Sequence, residues 1–252
     1  MDRDQLVAVL DDHLDSDAVA DVAVNGLQVA GRARVERLAT AVSVSLQLLE
    51  EVVDWGADAL LVHHGLLWRS EVPPRLVGAY RERIRLLLEH DLSLVAYHLP
   101  LDRHPDHGNA AVMARMLGLE QLEPFGEFSG VSLGFAGIFP VPVDVEELCG
   151  RVRLVCDREP LLLPGGPERV ASVGIVTGGA PTAMEEAITV GLDAFITGEA
   201  REWATYRACE EGIHFLAAGH HATERFGVRA LGEYLASRFD LSVRFFDASN
   251  PV

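Results

Sequence analysis

The sequence predicts an α/β protein of two related halves, residues 1–125 and 126–252, each with a mixed or mostly parallel sheet flanked by helices. Two observations lead there. Sliding the chain by 135 positions lays Gly56-Ala57-Asp58-Ala59-Leu60-Leu61-Val62 over Gly191-Leu192-Asp193-Ala194-Phe195-Ile196-Thr197, with Glu50-Glu51 over Glu185-Glu186 in the same register. Both copies alternate unbroken apolar runs with longer helical patterns. Strands buried on both faces and joined by crossover helices read this way.

Each element follows in order. An apolar run opens both copies, Leu38 to Val44 and Val170 to Val176, and a helical pattern follows it. The second strand is the matched segment itself. Further helices are expected over Pro74 to Glu89 and Ala200 to Glu211, leading to apolar runs Leu92 to Ala96 and Phe215 to Ala218. Beyond these the repeat continues at a shorter offset of 122, which carries His98 onto His220 and Asp102 onto Glu224. Helices over Asn109 to Leu117 and Thr223 to Ser237 complete the halves. Glycines and a proline between Phe125 and Gly130 mark the joint.

Three motifs sit where strands end: Val62-His63-His64-Gly65, Tyr97-His98-Leu99-Pro100-Leu101-Asp102 and Gly219-His220-His221-Ala222-Thr223-Glu224. Parallel sheets bind ligands beyond the carboxyl ends of their strands. A pseudo-twofold packing of the halves would therefore gather these side chains in the cleft between them. Neutral imidazole suits zinc, iron, manganese or nickel, and one carboxylate can span two ions. Three or more histidines with two carboxylates exceed a single open tetrahedral site. They match a pair of divalent ions about 3.5–4 Å apart. Each motif alone also has an ordinary reading: a hydrogen-bonded interior histidine pair, a capping aspartate, one turn of helix. Their coincidence at three strand ends favours metal.

Glu199 occupies the repeat position of His64, so it is a candidate partner or general base in the same cleft. The loop with His104, Asp106 and His107 reads as an exposed turn entering a helix. His221 is expected to point away from the site, and His13, His90 and His214 lack an acidic partner motif. Gly178-Gly179-Ala180-Pro181 offers backbone amides to an anion, or is simply a tight turn.

Composition narrows the setting. A 252-residue chain with 49% hydrophobic residues buries a substantial core. No apolar run approaches ~20 residues, so no membrane helix is expected. Met1-Asp2-Arg3-Asp4 lacks the apolar core of a signal peptide, which makes a cytoplasmic protein the expectation. The three cysteines form no Cys-x-x-Cys and are expected as buried thiols. A net charge of −17, with every basic residue an arginine, disfavours nucleic-acid binding. Arg81, Arg83 and Arg85, at helical spacing, read as a solvated face.

Asn25-Gly26-Leu27-Gln28-Val29 precedes the three motifs, and the ordered set resembles the short form of the Nif-three-like family of dinuclear-metal proteins. Members are often labelled type-two homologues of GTP cyclohydrolase I. The resemblance spans nearly the whole chain. It implies two divalent ions (zinc, iron or manganese) per subunit, His64 and Asp102 on one ion, His63 and His220 on the other, and Glu224 bridging. It also implies a histidine near the metals at His98 and a homo-hexameric ring. The expected activity is hydrolysis of a small nucleotide-like or phosphorylated substrate by a metal-bridging water, with Glu199 or His98 moving protons. The alternative is a non-catalytic metal scaffold, reservoir or chaperone.

Overall fold

The computed structural model describes residues 1–69 and 74–252. The first elements are α1 (Arg3–Leu14), β1 (Gly26–Val29), β2 (Arg37–Ser43), α2 (Leu46–Asp54), β3 (Ala59–His64), α3 (Gly78–Glu89), β4 (Ser93–Ala96) and α4 (Leu99–Asp102). Next come α5 (Asn109–Leu117), β5 (Glu120–Phe128), β6 (Val131–Asp144), α6 (Val145–Cys156), β7 (Leu161–Leu163), β8 (Arg169–Ile175), α7 (Met184–Thr189) and β9 (Ala194–Thr197). The chain ends with α8 (Ala204–Glu211), β10 (His214–Ala217), α9 (His220–Thr223), α10 (Arg225–Arg238) and β11 (Ser242–Phe245). These build two sheets flanked by helices. No helix among the described residues is long and apolar enough to cross a membrane.

Two compact units emerge, Met1–Leu101 with Gly227–Ser249 and Asp102–Phe226 with Asn250–Val252. A single cut at 125/126 does not describe them. The residues expected as a joint lie inside one unit, where β5 and β6 form a long antiparallel hairpin with Phe125 opposite Gly134. Gly126 there has φ +74, and a Cβ on it would come within 2.3 Å of Val176 Cγ2. Its glycine therefore permits a close strand approach, a role that resembles a loop signal in sequence.

In the first unit the strand order is β1-β4-β3-β2-β11. β11, β2, β3 and β4 are parallel, and β1 pairs antiparallel with β4. Successive residues of each strand alternate between faces, so both sides need cover. Leu38, Val42, Leu61 and Val95 pack with Leu6 and Leu10 of α1 and Val228, Leu231 and Leu235 of α10. Ala39, Ala41, Leu60, Val62 and Leu94 pack with Leu48, Leu49 and Val52 of α2 and Leu87 of α3. Cover on both faces explains the unbroken apolar runs.

The second unit has the order β5-β6-β8-β9-β10-β7, parallel through β8, β9 and β10. α5 and α6 supply Ala110, Met113, Leu148 and Val152 to one core. α7 and α8 supply Met184, Ala187, Ala204 and Ala208 to the other.

The repeat is deeper than the sequence alignment. β7 pairs antiparallel with β10 as β1 does with β4, so each copy holds four strands. Asp58 Oδ2 accepts from the backbone N–H groups of Glu36 and Arg37, and Asp193 Oδ2 accepts from those of Ala171 and Ser172, each 135 positions on. Gly56 (φ +76) and Gly191 (φ +75) end α2 and α7 with matching hydrogen bonds to Val53 and Ile188. The register does overturn one expected pairing. Tyr97 donates to Val62 O and Ala218 donates to Thr197 O, which sets the final offset at 121 and lays His98 on Gly219 rather than on His220.

Candidate metal centre

In the first unit, His63 and His64 end β3, and His98 lies in the turn between β4 and α4. His63 is completely buried, and His64 and His98 are half-buried. The three ring centroids lie 4.7 Å (His63–His64), 5.0 Å (His63–His98) and 5.6 Å (His64–His98) apart. One ligating atom from each falls within 4.8 Å of the others. Donor sets of this type hold divalent transition metals.

Neighbouring residues fix these rings. His63 Nδ1 donates to Tyr97 O at 3.0 Å. Tyr97 is fully buried, and its hydroxyl donates to Asp11 Oδ1 of α1 at 2.7 Å; burial and that carboxylate push the phenol far above its ordinary range. Ser43 Oγ lies 2.9 Å from His64 Nδ1. His98 Nδ1 meets Asp21 Oδ1 at 2.9 Å, and Asn25 Oδ1 accepts from the His98 backbone N–H. Burial opposes charge on Asp21, yet hydrogen bonds from His98, Ala23 and Asn25 outweigh it and hold the carboxyl well below the usual range.

Gln28 serves the loop after the histidine pair. Its Oε1 accepts from the N–H groups of Leu66 and Leu67, while its Nε2 donates to Val24 O. A Cβ at Gly65 would lie 2.4 Å from the Gln28 amide, so the glycine of His63-His64-Gly65 makes room for this strut.

In the second unit, His220 opens α9 and Glu224 follows it. His220 stands between two carboxylates, with Nδ1 2.6 Å from Glu199 Oε1 and Nε2 3.2 Å from Glu224 Oε2. The Glu224 hydrogen bond is the larger influence. It outweighs burial and, with Glu199, pushes the imidazole up to about 9. Glu224 is 3% exposed, so a carboxylate there needs positive charge nearby. Asp102 is also buried and accepts from Asn109 Nδ2 at 2.8 Å.

The backbone gives these side chains space. Gly178 has φ +68, and a Cβ there would fall 2.2 Å from Glu224 Oε1 and 3.2 Å from His220 Nε2. Gly198 is crowded by the His220 backbone in the same way, at 2.6 Å. Gly178 N–H donates to Thr223 Oγ1, and its carbonyl accepts from Gly198 and Glu199 N–H. The Gly178-Gly179 segment is thus a tight turn carrying the ends of β8, β9 and α9; its first amide is already engaged.

The remaining candidates divide plainly. His104 Nδ1 accepts from the Asp106 and His107 N–H groups, forming the expected turn before α5. His221 is buried with its N–H on Val252 O. His214 Nε2 donates to Pro167 O, and His13 stacks on Tyr234. Arg81 and Arg85 pair with Glu82 and Glu89 along α3. Cysteine burial was expected too broadly: Cys156 is buried, Cys149 partly so, and Cys209 is exposed on α8. Asp21, Ser43 and Tyr97 escaped the sequence reading, because each lies far along the chain from the histidine it serves or contributes only a main-chain oxygen.

Fold and side chains together define an α/β protein carrying clustered imidazole and carboxylate donors at its strand ends. A family model described as "Duf34/NIF3 (NGG1p interacting factor 3)" matches residues 1–251. The chain belongs to that family. It is 43% identical over 249 residues to a protein of Pasteurella multocida named "GTP cyclohydrolase 1 type 2 homolog", covering 98% of each. The solved structure titled "Structural genomics, protein ybgI, unknown function" is similar at 42% identity and TM-score 0.94, with both chains fully covered. That of TTHA1606 from Thermus thermophilus is similar at 34% identity and TM-score 0.91, again with full coverage of both.

Proposed function

We propose that the chain is a dinuclear divalent-metal protein that hydrolyses a small nucleotide-like or phosphorylated substrate. The observation that carries this reading is the chemistry of its donors: three clustered imidazoles in one unit, and in the other a histidine between two carboxylates. These residues fit such a centre. Tyr97 and Asp21 hold two rings with their Nδ1 protons outward, and Gly178 and Gly198 leave room that a Cβ would fill. His63, His64, Asp102, His220 and Glu224 would hold two ions of zinc, iron or manganese. When bound, such a pair polarises an electrophile and lowers the pKa of water.

The chain's own residues divide the remaining work. Glu199 holds a proton at His220 Nδ1 and is the candidate base for substrate-derived protons. The buried Glu224 carboxylate supplies negative charge that favours cations over anions. Support for a nucleotide-like substrate comes from the name its relatives carry, "GTP cyclohydrolase 1 type 2 homolog". A cytoplasmic setting and a homo-hexameric ring belong to the same proposal.

Elemental analysis of protein purified without chelators is the direct test, with two ions per chain expected. Reloading stripped protein with zinc, iron or manganese should restore turnover of some member of a nucleotide and phosphoester panel. Two bound ions with no turnover of any member would favour a metal scaffold or reservoir instead. Glu224→Gln should lose at least one ion per chain, and full occupancy in that variant would remove the bridging assignment.

A further inference from the structure

We infer that His98 is itself a ligand of the metal centre, the third imidazole of a set with His63 and His64, and that Asp21 is the residue that positions it. The inference rests on the metal-binding reading above and changes the role of His98 from proton carrier to donor.

The three rings have one feature in common. Each has Nδ1 held by a fixed oxygen: Tyr97 O for His63, Ser43 Oγ for His64 and Asp21 Oδ1 for His98. A carbonyl and a carboxylate only accept, so in His63 and His98 Nδ1 carries a proton, which in the neutral ring leaves the lone pair on Nε2. The Ser43 hydroxyl can turn to accept from His64 in the same tautomer. Imidazoles that ligate through Nε2 are typically held this way, by an Nδ1–H on a carbonyl or carboxylate.

Position and charge agree. One ligating atom per ring lies within 4.8 Å of the other two, and no centroid pair is farther apart than 5.6 Å. Three imidazoles gathered this closely suit a single shared cation. Asp21 clamps the His98 ring and the backbone N–H of the next residue, Leu99. Its Oδ1 takes the ring and the Ala23 N–H, and its Oδ2 takes the Leu99 N–H and Asn25 Nδ2. Its side chain is only 1% exposed. A buried carboxylate behind a neutral imidazole raises the basicity of the ring's other nitrogen, which favours ligation.

The test uses the full chain, stripped with chelator and titrated with Co²⁺, followed by visible absorption and calorimetry. Wild type, His98→Ala, Asp21→Asn and the double variant are compared, with circular dichroism reporting the fold. His98→Ala should weaken one ion by about a hundredfold or more and alter the Co²⁺ spectrum. Asp21→Asn should weaken the same ion by about ten- to a hundredfold, and adding it to His98→Ala should cost nothing further. On zinc-loaded wild type, ¹⁵N correlation spectra should place His98 Nε2 among metal-bound nitrogens, a readout that needs no variant to fold. Unchanged Co²⁺ affinity and spectrum in folded His98→Ala would overturn the inference while leaving a two-ion centre standing. A wild type that takes up no ion would overturn the metal reading itself.

Discussion

Gly178 shows how little freedom the candidate centre leaves its backbone. A methyl group there would meet Glu224 Oε1 at 2.2 Å, in a left-handed conformation that L side chains disfavour. Gly178→Ala should therefore destabilise the fold by about 1–3 kcal/mol and displace Glu224, lowering metal content in the same sample. Melting temperature and elemental analysis read the two effects; an unchanged ion count would show that the carboxylate can yield. Gln28 offers a second residue-scale test. Its side chain satisfies two loop N–H groups and one carbonyl, so Gln28→Ala should cost about 1–3 kcal/mol, measured by chemical denaturation. At this scale the sequence was legible where chemistry is local. His63, His64, His98, His220 and Glu224 announce themselves by residue type at a strand end. Asp21 does not, because its partner lies 77 positions away and nothing in the local pattern marks it.

The aspartates at the start of β3 and β9 belong to the element scale. Asp58 and Asp193 each accept two backbone N–H groups from the residues that open the neighbouring strand, so each locks one parallel strand pair in register. Burial raises the Asp58 pKa, but the bonds from Arg37, Glu36 and Arg32 prevail and lower it. A group with a lowered folded pKa contributes stability above its unfolded value, about 3.9, and loses it as pH falls through the folded value. Asp58→Asn should thus cost about 1–2 kcal/mol near neutral pH, and the gap to wild type should shrink below pH ~4. A gap that stays constant down to pH ~2 would assign the loss to packing. Asp193→Asn should show a loss of similar size near neutral pH. The repeat was visible through the segments around these two aspartates, although their identical duty was not. The β5–β6 hairpin was hidden because Gly126 and Gly130 resemble a linker.

Across the whole molecule the two sheets match the expected α/β architecture, while the division of the chain does not. Unit boundaries fall at Leu101/Asp102 inside α4, at Phe226/Gly227 inside α10 and at Ser249/Asn250 near the last residues, not at the glycine-rich stretch from Phe125 to Gly130. Tertiary pairing, rather than composition, decides where a compact unit ends, and such pairing over long separations is invisible to a local reading. The arginine-only, acidic composition is consistent with the surface at α3, where Arg81 and Arg85 are matched by Glu82 and Glu89. Binding of generic duplex DNA, measured by fluorescence anisotropy at ~50 mM salt, should be undetectable; tight, salt-sensitive binding would require a basic surface that these ion pairs do not supply.

β11 has a consequence for synthesis. Ser242 to Phe245 lie beside Arg37 to Thr40, so strands separated by roughly 200 positions must meet before the first sheet acquires its last member. A ribosome will have finished the entire second sheet while the edge of β2 still waits, exposed to other nascent chains. Polypeptides arrested before residue 242 should stay sensitive to protease between residues 26 and 96, and completing the last stretch of synthesis should bring protection. A cell that makes this protein thus carries its N-terminal layer as an unfinished template until translation is nearly over.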